Sequence, residues 1–262
     1  MKTLGVVHIE HGPSAQPPAA FRRLAGKPLI EWVVRRVSES LHLKSVVVAL
    51  SGESDDDRGI SNVIPTDVPV LSITTRGAAV QLAQMADDLG ADAILRVSIR
   101  NPFIDSALID RLVTAAENST GCDYASYCQR DGTPAVLSPL GVHAQWLSVT
   151  ALRRAAAEVQ HGDIASVTQF ILAHPQQYTI KQIQLPDELD QADFRFTVDS
   201  EEDLEHTQEL YEALGPEQLD WQRLAEFLKQ QPRLRQRMAA LNRKAQDHTL
   251  PTIDNELLDA PS

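Results

Sequence analysis

Short runs of β-branched residues alternate with longer stretches of helical period, and this alternation constrains the fold of the chain more than any other feature. Thr3–Ile9 predicts a buried first strand and Pro28–Leu41 a helix with Pro28 at its start; Ser45–Leu50 and Val68–Ile73 predict two further strands. Gly77–Leu89 predicts a helix closed by Gly90, Ala93–Ile99 a fourth strand, and Asp105–Ala116 a helix after the turn Asn101-Pro102. Strand–helix pairs of about 30 residues predict a mainly parallel sheet covered by helices on both faces. In such sheets a ligand sits beyond the carboxyl ends of the strands. Residues 10–24 and 99–105 are therefore the loops to inspect.

The second half is less regular. Tyr124–Tyr127, Gly141–Trp146 and Phe194–Val198 read as strands, and Val149–Val159, Ile164–His174 and Glu201–Leu214 as helices, the last stopped by Gly215-Pro216. Trp221–Leu228 and Pro232–Ala245 read as a helical pair. The expected division is a main domain over 1–215, a helical extension over 216–247 and a disordered tail over 248–262.

Charge and cysteine content exclude several classes. A net charge of −12 argues against general nucleic-acid binding, which needs a basic face. No apolar run approaches the ~20 residues that span a bilayer, and the start of the chain lacks a leader pattern, so a cytoplasmic protein is expected. Cys122 and Cys128 are too few for a disulfide framework or a four-cysteine zinc site and read as buried thiols. His8 and His11, three apart on an extended segment, point in different directions and do not suggest a shared metal. Asp55-Asp56-Asp57 reads as a solvated loop or helix start. Gly26-Lys27 is not a phosphate loop, because Phe21 occupies the first glycine position and Pro28 follows where Ser or Thr is required.

Three segments carry a resemblance. Leu24-Ala25-Gly26-Lys27-Pro28-Leu29-Ile30-Glu31 resembles the A-G-K-P-L-[IL]-x-[HW] segment that opens the first helix of sugar nucleotidyltransferases. Arg96-Val97-Ser98-Ile99-Arg100-Asn101-Pro102-Phe103-Ile104-Asp105 resembles R-[IV]-T-G-D-x-P-[LF]-[IL]-D. Arg195-Phe196-Thr197-Val198-Asp199-Ser200-Glu201-Glu202-Asp203-Leu204 is similar to R-L-T-V-D-[TS]-x-E-D-[FL]. Weaker likenesses at Ser166–Pro175 and Phe227–Leu234 follow in the same order. Together they resemble the SpsF-type branch of the acylneuraminate and KDO cytidylyltransferase superfamily over residues 1–242. The resemblance implies a Rossmann-like nucleotide-diphospho-sugar transferase fold, CTP or another nucleotide and a sugar as ligands, Mg2+ in an active member, and a homodimer formed near Gly141–Val149.

The same resemblance marks what is missing. In the family the loop after the first strand, Q-A-R-x-x-S-x-R-L-P-G-K, grips the triphosphate. Here His8 stands at the Gln, Glu10 at the first Arg, Pro13 at the Ser, Ala15 at the second Arg and Ala19 at the Lys. Pro13, Pro17 and Pro18 remove backbone donors as well. Asp199 matches one magnesium-binding carboxylate, but Arg100 stands at the other, and a guanidinium repels a cation. Ser72–Ala78 keeps neither acid of the family's R-G-S-E-D-D-V stretch. The positions left to hold a nucleotide are Gly12, Arg22, Arg23, Lys27, Arg96 and Arg100, with Asp199 left for the metal; Arg22 and Arg23 read first as solvated surface arginines and only second as replacements for the lost cations. Arg100 is expected to pair with Asp199. Asp105 and Ser200 read as helix caps. The expectation is a divergent SpsF-like homologue in polysaccharide assembly with lost or reduced catalysis, or a nucleotidyltransferase with a rearranged site. A glycosyltransferase on the same fold would need an Asp-x-Asp near the fourth strand, and Ile99-Arg100-Asn101 offers none.

Overall fold

In the computed structural model of the chain the described residues are 1–10, 19–51, 59–60, 62–74, 77–159 and 162–249. Four strands, β1 (Thr3–Glu10), β4 (Leu43–Ser51), β5 (Val70–Ile73) and β6 (Ala93–Ser98), pair in parallel in the order β5-β4-β1-β6. The sheet continues with β8 (Gln145–Ser148), β7 (Tyr124–Cys128) and β9 (Ile180–Gln184). Only β8 runs against the others, pairing antiparallel with both β6 and β7, while β9 is parallel to β7. The mainly parallel sheet expected from the alternation is present.

Helices cover both faces. Alternate strand residues explain why: Val7, Ile9, Leu95 and Val97 pack with α1 (Leu29–Ser38) and α3 (Ser106–Glu117) on one side. Leu4, Val6 and Ile94 pack on the other with α2 (Ala78–Asp88), α4 (Val149–Glu158) and α5 (Ile164–Ala173). The helices that follow α6 (Glu201–Leu214), namely α7 (Trp221–Lys229) and α8 (Pro232–Thr249), send Leu224, Leu228, Leu234 and Met238 into the first of these layers. Among the described residues no helix is long and apolar enough to cross a membrane.

Local rules account for the helix ends. Asp105 caps α3 through the N–H groups of Ala107 and Leu108, and its other oxygen accepts from Trp221 N–H, tying α7 to the same cap. Ser200 and Asp203 form a reciprocal capping box on α6. A two-residue turn joins β2 (Arg23–Leu24) to β3 (Lys27–Pro28); both Ala25 (φ 50°) and Gly26 (φ 79°) are left-handed, the geometry a tight hairpin requires.

The structure corrects several boundaries. Helix α1 ends at Ser38 rather than Leu41, and β5 starts at Val70, after Pro69, which has no N–H for a ladder. The strand expected over Gly141–Trp146 is shifted to Gln145–Ser148, because Gly141 has φ 68° and residues 141–144 are an irregular lead-in. Phe194–Val198 is not a strand: it crosses the end of the sheet, and its N–H groups bond loop carbonyls, Phe196 to Pro139 and Val198 to Arg100. Edge strand β9, with sequence IKQIQ, was not expected. Residues 141–149, the expected dimer segment, are all buried within the chain and offer no exposed surface. Helix α8 runs past Ala245 to Thr249, and the tail from 250 onward lies outside the described residues, as do Asp55–Asp57 and His11. Cys122 and Cys128 are buried free thiols, as read from the sequence.

Gly141 tests the packing of the sheet end. A Cβ there would lie 2.7 Å from Phe196 C and Thr197 N, on a backbone already left-handed. Gly141→Ala is expected to lower stability by about 2–4 kcal/mol, read by urea denaturation with an unchanged m-value.

Candidate functional site

The sheet face that packs on α2, α4 and α5 is apolar near the start of β1 and β6 and turns polar toward their ends. Leu4 and Val6 are followed at the same parity by His8, and Ile94 by Arg96 and Ser98. Register aligns these residues across strands: Arg96 lies opposite Gln145, and Gln145 opposite Ser126. Because β8 is reversed, its first residue, Gln145, comes to the carboxyl end of its neighbours.

A hydrogen-bonded chain runs along this row. Arg96 Nε donates to His8 Nδ1 at 3.0 Å, and His8 Nε2 meets Ser51 Oγ at 2.6 Å. Arginine only donates, so His8 must accept at Nδ1, carry its proton on Nε2 and be neutral. Thr168 of α5 donates to Gln145 Oε1 at 2.9 Å.

Beyond the polar row opens a cavity of about 620 Å³, lined in part by Arg96, Arg100, His143, Arg195, Asp199 and Asn242. Arg195 is its structural centre. Nε and Nη2 of Arg195 donate to the two oxygens of Asp203 at 2.6 and 3.0 Å, a bidentate pair buried on both sides. Asp203 Oδ2 also accepts from the N–H groups of Asp199 and Ser200. Burial opposes the charge on Asp203, but the Arg195 hydrogen bond and its positive charge outweigh it and hold the carboxyl below its usual range. Burial likewise opposes the Arg195 charge, and Asp203 more than offsets it, so the guanidinium stays protonated. Asn242, reaching in from α8, accepts from Arg195 Nη1 and donates to the carbonyls of Ala192 and Phe194.

The expected contact between Arg100 and Asp199 is made: Nη1 to Oδ1 is 2.9 Å. Asp199 Oδ2 accepts from Arg195 Nη2 at 3.0 Å and from Thr197 Oγ1 at 3.1 Å. Both carboxylate oxygens are thus engaged, one by a guanidinium at the position where the resemblance placed a second acid. Among the described residues no group of three or more His, Cys, Asp or Glu could hold a metal ion. These residues do not fit a divalent cation. The Arg100–Asp199 pair is half-exposed, so it stabilises the fold by only about 0–1 kcal/mol.

Other residues read from the sequence lie elsewhere. Arg22 is buried, not solvated: Nη1 donates to Ser200 O at 2.9 Å and Nη2 meets Glu201 at 3.4 Å, fastening the hairpin to α6. Arg23 donates to Gly26 O within the turn, and Lys27 pairs with Glu31 on α1; neither lines the cavity. Gly12 lies outside the described residues. Three contributors were not singled out. Arg195 belonged to a recognised segment but carried no role of its own there, while His143 and Asn242 sit in segments read only as a strand and a helix and reach the cavity through tertiary folding.

His143 is buried on the cavity wall, and its Nδ1 has no hydrogen-bond partner. Burial pushes its pKa down to about 4, so the ring is neutral at pH 7. Its folded pKa lies below the unfolded value, so the stability tied to the neutral ring is complete above about 6.5 and drains as pH falls toward 4. His143→Gln is expected to remove a loss on the order of 3 kcal/mol across that window, read as a flatter melting-temperature profile. Arg195→Met, which strands the buried Asp203 charge, is expected to cost about 3–5 kcal/mol by denaturant titration.

The comparisons agree with this architecture. A family model described as cytidylyltransferase matches residues 20–236. The spore coat polysaccharide biosynthesis protein SpsF of Bacillus subtilis is 24% identical over 220 residues, covering 81% of this chain and 87% of that protein. A cytidylyltransferase structure from Leptospira borgpetersenii superposes with TM-score 0.72 at 17% identity, covering 90% of this chain and 96% of the other. The structure of CMP:2-keto-3-deoxy-manno-octonic acid synthetase complexed with CTP gives TM-score 0.59 at 13% identity, over 81% and 99% of the two chains.

Proposed function

The chain belongs to the cytidylyltransferase family, and from that premise we propose that it is a sugar-handling member, serving polysaccharide or surface-glycan assembly in the cytoplasm, whose metal-dependent transfer of CMP is lost or greatly reduced. The observation that carries the reading is the Arg100–Asp199 ion pair at the carboxyl end of β6. Nucleotidyl transfer spreads negative charge over a phosphoryl group, and the protein must supply cations in place to stabilise it. Here one carboxylate that would hold a metal is replaced by a guanidinium, and the remaining one is neutralised by it. The sequence before α1 compounds the change, with Glu10, Ala15 and Ala19 where the family resemblance has Arg, Arg and Lys.

The polysaccharide setting follows the printed role of the SpsF relative, and the nucleotide follows the CTP complex of the synthetase. A second reading, an active transferase of CMP or another nucleotide with a rearranged site, draws support from the ordered Arg96–His8–Ser51 chain, a polar network placed where such a ligand would lie. Titration calorimetry with CTP, with and without Mg2+, separates the two. The proposed reading expects no magnesium-dependent CTP binding and no pyrophosphate release with sugar added. Tight, magnesium-dependent binding would overturn it in favour of the second.

A further inference from the structure

The two edges of the sheet are not protected alike. At one edge β9 exposes Lys181, Gln182 and Gln184, and a lysine on an edge strand opposes pairing with another strand. At the other edge β5, Val70-Leu71-Ser72-Ile73, carries no charged residue, and Asp67, the nearest charged residue before it, is held by a two-pronged bond from Arg35. Val48 N–H donates to Pro69 O, and the parallel register sets Val48 against Val70 and Leu50 against Ser72. In such a ladder alternate residues bond the neighbouring strand, so Leu71 and Ile73 follow Pro69 in facing β4. The N–H and C=O groups of Val70 and Ser72 therefore point away from the sheet. Pro69 does not block them, because its missing N–H lies on the inner side. Val70 is 39% exposed, and Ser72 on the same face is exposed with it. Leu71 is half-buried on the opposite face, packed in the layer that α2 covers. There Gln81 of α2 exchanges two hydrogen bonds with Thr74, and the residue beside it, Val80, is 52% exposed.

We propose that β5 is the surface through which two copies of this chain associate, the strands pairing antiparallel about a twofold axis so that the two sheets join into one. Val70 then pairs with Ser72 of the second copy, and Ser72 with Val70 of the second copy, which makes four backbone hydrogen bonds. The strand is self-complementary in this register, since its two outward-facing residues are symmetric about Leu71. A twofold contact requires that property. Leu71 meets its own counterpart in a pair without hydrogen bonds, where side chains approach most closely, on the face shared with α2. Charge selects this edge over the other. Each copy carries a net charge of −12, and an uncharged strand brings two such chains together with the least repulsion, whereas β9 would carry a lysine into the contact. No residue of β5 lines the cavity, so the association stands apart from whether CTP binds there.

Sedimentation velocity on the full chain over a dilution series reads the mass, and cysteine cross-linking reads the register. The parent is expected to be a dimer that dissociates on dilution. Leu71→Cys is expected to give a disulfide-linked dimer on mild oxidation, because only a residue on the twofold axis faces its own copy. A pair of this kind holds the two Cα atoms about 4.5 Å apart, within disulfide reach. Val70→Cys, set against Ser72, is expected not to cross-link, and the native Cys122 and Cys128 are buried. Ser72→Pro, which removes an outward N–H and no bond to β4, is expected to give a monomer. Val70→Lys, an exposed substitution that leaves the backbone unchanged, is expected to do the same. Gln182→Lys on β9 is expected to leave the dimer intact. Thermal melts check folding, and if Ser72→Pro melts below the parent, Val70→Lys decides. A chain that stays monomeric throughout overturns the proposal, as does a dimer that survives Val70→Lys, one that Gln182→Lys breaks, or one that cross-links through Val70→Cys and not through Leu71→Cys.

Discussion

Everything at the carboxyl end of the sheet hangs on the buried pair between Arg195 and Asp203. Two charges removed from water cost several kcal/mol each, and the cost is offset only when both are fully hydrogen-bonded. Here they are. Asp203 also receives two backbone N–H groups at the start of α6, while Arg195 reaches on to Asp199 and to Asn242 of α8. One ion pair therefore fixes a helix start, the loop carrying Asp199 and the C-terminal helix at once. Arg100, two residues past the end of β6, is oriented both by Asp199 of that loop and by Ser98, the last residue of the strand.

A polar site on a parallel sheet is made by changing the character of alternate residues without changing the backbone. The face that packs on α2, α4 and α5 needs apolar side chains for most of its length and polar ones for the last step or two. His8, Arg96 and Ser98 mark that change, and Gln145 joins them from a strand running the other way. The neutral state of His8 follows from its neighbour, since a guanidinium beside Nδ1 leaves room for only one tautomer. The chemistry of the site is thus set by pairs, and a residue taken singly says little about what it does there.

Much of this was legible in the sequence. Alternation located β1, β4, β5 and β6, and the capping signals at Asp105 and Ser200 were read correctly because capping is decided within four residues. The pairing of Arg100 with Asp199 was legible too, since two recognised segments placed them at neighbouring loops. What escaped depended on long-range contacts. The pattern IKQIQ of β9 has only two apolar residues, as expected of an edge strand, and alternation cannot show it. Phe194–Val198 carries a strand-like composition, but its residues are buried by loops and a helix, not by a ladder. Arg22 looked like a surface arginine until α6 was laid over it. His143 and Asn242 have no neighbours in sequence that betray them.

Asn242 has a consequence for the order in which the site comes into being. It lies 47 residues beyond the arginine it braces, in the second half of α8, the last helix among the described residues. During synthesis the sheet and its first helix layers leave the ribosome well before this residue does. The cavity therefore has its floor long before it has its last wall. The site is finished by α8, and a nascent chain halted before α8 would carry the fold of the family without a completed chamber.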